Sequence, residues 1–113
     1  MKRISTHVLD IALGRPAAEV PVRLERKDGS GWRLLASGQT DPHGRCANLL
    51  PEDEGLTPGI YRLSFDIAVY FAARKVVSLY PLIEVTFHIR DNEQSFHIPL
   101  LLSPNGYTTY RGS

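Results

Sequence analysis

The 113 residues, 42% of them hydrophobic, suffice for one domain with a single modest core and leave no space for a separate cofactor-binding domain. Against 12 Asp and Glu stand 13 Lys and Arg, a formal net charge of +1, which supplies no field for nucleic acid or anionic lipid and suits a neutral or small anionic ligand. The single cysteine, Cys46, excludes an internal disulfide, Met1 to His7 lacks the apolar run of a signal peptide, and no stretch approaches the roughly 20 apolar residues of a membrane span, so a cytoplasmic protein is expected.

Short runs of alternating polarity, punctuated by Gly and Pro, predict strands. The first covers Ile4 to Asp10, with Ile4, Thr6 and Val8 on one face and Ser5, His7 and Leu9 on the other. Residues 11–19 are irregular. Val20, Val22 and Leu24 then alternate with Pro21, Arg23 and Glu25, and Asp28-Gly29-Ser30-Gly31 turns the chain into a row of Trp32, Leu34 and Ala36, a hairpin. A short strand is expected near Arg45 to Leu49, followed by an irregular stretch over 51–59. Tyr61, Leu63, Phe65 and Ile67 alternate with Arg62, Ser64 and Asp66, another strand, and Ala68 to Lys75 reads as a short helix with Arg74 and Lys75 at its negative end. Ile83, Val85, Phe87 and Ile89 form the next inward row. Asp91-Asn92-Glu93 turns into Phe96, Ile98, Leu100 and Leu102, and Ser103-Pro104-Asn105-Gly106 into a last strand, Tyr107 to Tyr110. Pro99 cannot donate to a ladder, so its strand is bulged or at an edge on that side. About eight strands and one helix predict a single all-β sandwich over 1–113, and its exposed edges predict at least a dimer.

Alternation lifts two of the four histidines, His7 and His97, out of the core. If their strands are neighbours, the imidazoles meet on one sheet face as a candidate base and acid. His43 in its turn and His88 on a polar strand face read as ordinary surface residues. A zinc site from His7, His88 and His97 lacks the short-spaced pairs that would make it specific. Arg45, after a Gly-containing turn, reads either as a solvated cation or as a forked donor for carbonyl oxygens or an anion. Cys46 reads as a buried small hydrophobe. There is no G-x-S-x-G and no G-x-x-x-x-G-K motif.

The segments Ser5-Thr6-His7-Val8-Leu9-Asp10, Gly14-Arg15-Pro16-Ala17, Thr40-Asp41-Pro42-His43-Gly44-Arg45, His97-Ile98-Pro99-Leu100-Leu101-Leu102-Ser103-Pro104 and the terminal Tyr110-Arg111-Gly112-Ser113 together resemble the 5-hydroxyisourate hydrolase pattern of the transthyretin-like family. The resemblance runs over essentially the whole chain. It implies a transthyretin-like (prealbumin) eight-stranded, two-sheet β-sandwich with one short helix, assembled as a homotetramer with active sites at a subunit interface. His7, Arg45, His97 and Ser113 match the family's catalytic set, with His7, Arg45 and Tyr110 contacting substrate. The implied reaction opens the cyclic amide of 5-hydroxyisourate, giving 2-oxo-4-hydroxy-4-carboxy-5-ureidoimidazoline in urate degradation, with no metal or organic cofactor and no nucleic-acid or membrane partner. The family often has His-Tyr-His where this chain reads Ser95-Phe96-His97, which puts in doubt a supporting role for the first imidazole. The alternative is a transthyretin-type carrier that binds a small aromatic ligand without reacting it.

Overall fold

A computed structural model describes residues 3–51, 55–91 and 95–112. Among these the chain forms nine strands and one helix: β1 (Arg3–Asp10), β2 (Arg15–Pro16), β3 (Pro21–Asp28), β4 (Gly31–Gln39), β5 (Arg45–Cys46), β6 (Gly59–Phe65), α1 (Ile67–Ala73), β7 (Ile83–Ile89), β8 (Ser95–Ser103) and β9 (Gly106–Thr109). They make two sheets, one ordered β2-β1-β8-β9 with β5 also on β1, the other β4-β3-β6-β7. This is the expected sandwich. The extra strand is the two-residue β2, inside the stretch read as irregular, where Leu9 and Asp10 pair with Pro16 and Arg15.

The core fills from the inward rows that alternation marks out. Ile4 and Val8 of β1, Leu24 of β3, Tyr61, Leu63 and Phe65 of β6, and Leu100 and Leu102 of β8 have no exposed surface. Burying each such aliphatic or aromatic side chain is worth about 1.5–3 kcal/mol, and that is what holds the two sheets together in a chain without a disulfide. Asp10 is a polar exception at 2% exposure. Its carboxylate accepts the backbone N–H groups of Ala12 and Leu13 and the Tyr70 hydroxyl at 2.7 Å, tying the end of β1 to the helix. Burial, reinforced by that carboxylate, pushes the Tyr70 phenol up to about 12, so it remains a donor.

Three local readings change. Between Leu24 and Glu25 the β3–β4 register slips, so Ala36 faces Leu24 and Leu34 faces Glu25. The extra residue, Leu35, turns against the core while Leu34 is 56% exposed, which breaks the expected Trp32, Leu34, Ala36 row. The strand expected to run to Ile67 ends at Phe65. Asp66 instead caps the helix, its carboxylate accepting the Val69 N–H, and Ile67 starts the helix with its side chain buried. The helix closes as Val76 N–H reaches Phe71 O and Lys75 N–H reaches Ala72 O, and the Arg74 guanidinium donates to Tyr70 O, the cation placement expected there. Finally, the strand expected over Arg45 to Leu49 stops at Cys46. The Asn48 side chain takes over the next rung by accepting the Ile4 N–H. The turn read at Asp91-Asn92-Glu93 lies partly outside the described residues.

Pro99 sits in a strand flanked on both sides. On one side β8 runs parallel to β1, with Ser5 opposite His97 and His7 opposite Pro99. On the other, the β9 ladder lapses beyond Leu100–Thr109 and a single bridge, His97 to Gly112, resumes it. The Thr109 hydroxyl donates to Pro99 O across the gap. The bulge or edge expected on the Pro99 side is therefore an interruption of the β8–β9 ladder, beyond which Gly112 pairs with His97.

Candidate active site

The parallel register of β1 and β8 supplies the adjacency that alternation leaves open. Ser5, His7 and His97 all leave the core on the outer face of the five-stranded sheet, and all three are half-buried. β5 lies along the opposite edge of β1 and sets Arg45 beside His7. His7, Arg45 and His97 are thus carried on three adjacent strands by backbone pairing alone.

Each imidazole is held by a different kind of partner. His7 Nε2 lies 2.9 Å from the carbonyl oxygen of His43. A carbonyl can only accept, so this nitrogen carries the proton and Nδ1 keeps the lone pair when the ring is neutral. His97 Nδ1 lies 2.9 Å from the Ser5 hydroxyl, and the edge of its ring rests on Gly112, where an added Cβ would come within 2.6 Å of Cδ2. The Gly112 N–H also donates to His97 O at 2.7 Å. Partial burial, then the charges of His7 and Arg45, lower the His97 pKa below its ordinary value. Both causes disfavour the imidazolium, so the ring is neutral at pH 7. An NMR titration should place the His97 midpoint below about 6.5, the ordinary imidazole value. A midpoint above that would mean the ring is neither desolvated nor beside cations.

The turn that carries His43 and Arg45 is organised by Asp41. Its carboxylate accepts the backbone N–H of His43 at 2.8 Å and of Arg45 at 2.9 Å. The hydrogen bond from Arg45 N–H is the largest cause holding that carboxyl below its usual range. Gly44 closes the turn at φ +78° and its carbonyl accepts the Val8 N–H at 2.7 Å, which seats the turn on β1.

Two hollows open on this face, with Arg45 lining both. One, of about 560 Å³, is bordered by Ser5, His97, Gly112, Arg3, Arg45 and Arg111. The other, of about 410 Å³, is bordered by His7, Leu9, Pro16, His43 and Arg45. Three arginines and three histidines, with no carboxylate among these lining residues, suit a carbonyl-rich or anionic heterocycle. Cys46, expected to be buried, is half-buried, packing against the core and also bordering the larger hollow. Desolvation, with a smaller contribution from Asp41, raises its pKa and keeps it a thiol, a poor nucleophile.

The other sequence candidates separate. His88 lies on β7 in the second sheet, so the three histidines weighed as a zinc site are not brought together, and no group of three potential metal ligands occurs among the described residues. Tyr110, following β9, is 55% exposed and does not border either hollow. Ser113 lies outside the described residues. Sequence reasoning passed over the Ser5 hydroxyl, the His43 carbonyl and the Asp41 carboxylate as parts of the site. Ser5 shares a face with His7 by simple alternation, a signal that was available. The role of the His43 carbonyl belongs to the backbone and left none.

The model of the HIUase/Transthyretin family matches residues 4–112. A 5-hydroxyisourate hydrolase of Salmonella typhimurium is 46% identical over 110 residues, covering 97% of this chain and 80% of that protein. The structure of Klebsiella pneumoniae 5-hydroxyisourate hydrolase superposes with a TM-score of 0.87 at 36% identity, covering all of both chains. Sea bream transthyretin in complex with thyroxine superposes with a TM-score of 0.90 at 30% identity, covering 97% of this chain and 94% of that one.

Proposed function

The chain belongs to the HIUase/transthyretin family, and we propose that it is an enzyme that hydrolyses the cyclic amide of 5-hydroxyisourate through His7, Arg45 and His97. The observation that carries this reading is the β5–β1–β8 juxtaposition, which gathers two differently held imidazoles and a guanidinium over one face. Ring opening needs a water deprotonated at a carbonyl carbon, charge stabilised on the carbonyl oxygen, and a proton returned to the leaving nitrogen. Two imidazoles can divide the proton transfers, worth roughly 100- to 10,000-fold. Arg45 holds the polar edge of the substrate and stabilises the developing oxyanion. The arginine-lined hollow favours a substrate rich in carbonyl oxygens.

In this reading Ser113 orients the attacking water, and Tyr110 contacts substrate. The assembly is a homotetramer with the site at a subunit interface. Among the described residues β7 and β9 end their sheets, edges that a second copy can cover. No helix among these residues is long and apolar enough to cross a membrane, and we place the reaction in the cytoplasm, where a lone free thiol is compatible with a reducing milieu.

The carrier reading shares the fold, as the thyroxine-bound relative illustrates. A turnover assay separates them. Freshly generated 5-hydroxyisourate should decay far faster with catalytic amounts of the protein than without, and removal of Gly112 and Ser113 should slow that decay. An unaltered background rate together with tight binding of an aromatic ligand would decide for the carrier.

A further inference from the structure

The His97 ring is held on two edges and open on the third. Nδ1 meets the Ser5 hydroxyl at 2.9 Å, and Cδ2 and Cγ rest on Gly112. Pro99 Cγ would lie 3.3 Å from the same added Cβ, so Gly112 sits over both side chains. Among the described residues Nε2 is left as the polar ring atom with no such holder, in a ring that borders the hollow. Ser5 owes its place to the strand register, which sets it directly opposite His97.

The proton in the Ser5–His97 hydrogen bond has a preferred owner. The hydroxyl has one proton to give, and the neighbouring Nδ1 lone pair is the better acceptor of the two heavy atoms. Donation from Oγ to Nδ1 leaves the proton of a neutral His97 on Nε2. His7 is fixed the other way in function, because its Nε2–H is committed to the His43 carbonyl and its Nδ1 is a bare lone pair. The two rings are then unlike at the atoms they offer: His7 can take a proton and His97 can give a hydrogen bond.

We propose that Ser5 is a positioning residue for the hydrolysis, holding His97 as the Nε2–H tautomer so that it serves as the donor while His7 serves as the base. This rests on the hydrolase reading above, and it assigns within that reading which imidazole does which task. Ser5 touches no reacting atom; it acts through the ring it holds.

The test begins with the full chain labelled with ¹⁵N-histidine, whose Nδ1 and Nε2 shifts report the tautomer without any variant. His97 should show an unprotonated Nδ1 and a protonated Nε2. In Ser5→Ala the two tautomers should mix and kcat should drop about tenfold, the effect of one orienting hydrogen bond, with KM nearly unchanged. Ser5→Thr, which keeps the hydroxyl, should restore both the spectrum and kcat. A wild-type His97 protonated on Nδ1 overturns the proposal, as does an unmoved kcat in Ser5→Ala. Collapse of a folded Ser5→Ala to the uncatalysed rate also overturns it, because Ser5 would then act in the chemistry itself and not through the ring it holds. Absence of turnover by the wild type, with the expected tautomer in place, would instead sink the hydrolase reading and with it any catalytic use of Ser5.

Discussion

Replacing His7 or His97 with alanine lowers the enzymatic decay of 5-hydroxyisourate by about 100- to 10,000-fold and leaves the sandwich folded. The rate falls because each ring supplies a proton-transfer or donor function that water in a shallow hollow reproduces poorly. The fold survives because both side chains stand on the outer face, away from the inward row of Ile4, Val8, Leu100 and Leu102. Truncation also strands little: His7 leaves a backbone carbonyl at an exposed turn, and His97 leaves the Ser5 hydroxyl at the wall of an open cleft. The double variant should be scarcely slower than the worse single one, since groups that act as a unit are not additive. Decay followed by absorbance, with circular dichroism on the same samples, checks both halves. Retained turnover in either single variant would remove the histidine mechanism.

That two histidines leave the core could be read from alternation alone, because a period of 2 fixes the face of every strand residue once the apolar row is known. That they meet could not. Adjacency of β1 and β8 is a non-local pairing between segments about ninety residues apart, and nothing in either segment encodes the neighbour. The resemblance to a family supplied it instead. Local punctuation was legible where one residue type dictates geometry, as at the Asp28 to Gly31 turn and the Pro99 interruption. It was misread where a side chain competes with the backbone pattern. Asp66 captures Val69 N–H and converts an apparent strand end into a helix start, and Asn48 replaces a ladder rung and shortens β5. The bulge that sends Leu35 inward leaves the polarity pattern of β4 ambiguous, since Leu34 and Leu35 are both apolar. The His43 contribution stayed hidden because it acts through a backbone carbonyl, an atom common to every sequence, and the Asp41 carboxylate because its partners are the backbone N–H groups of its own turn.

Gly44→Ala should be the most damaging single methyl in the molecule. At φ +78° an L-alanine is strained, and its Cβ would be driven into the carbonyl oxygen of Val8 and close to Pro16 and Ala17. None of these can swing aside cheaply. The Val8 carbonyl accepts the Ala17 N–H, and the Val8 N–H is bonded to Gly44 itself, so relief requires lifting the turn off β1. We expect a loss of about 2–4 kcal/mol, combining the left-handed backbone cost with a backbone collision. Gly29→Ala is the control, because Gly29 shares the left-handed conformation at φ +64° with nothing within 4 Å of an added Cβ; it should cost only about 1 kcal/mol. Denaturant melts of the two variants separate strain from collision. Turnover should divide them further. Lifting the Gly44 turn carries away the His43 carbonyl that fixes the His7 tautomer and the strand start that aims Arg45, so the folded fraction of Gly44→Ala should still be slow, whereas Gly29→Ala should turn over like the wild type. Equal stability of the two variants would show that the turn is not seated on β1 as its hydrogen bonds indicate, and the link from Gly44 through His43 to the His7 ring would fall with it.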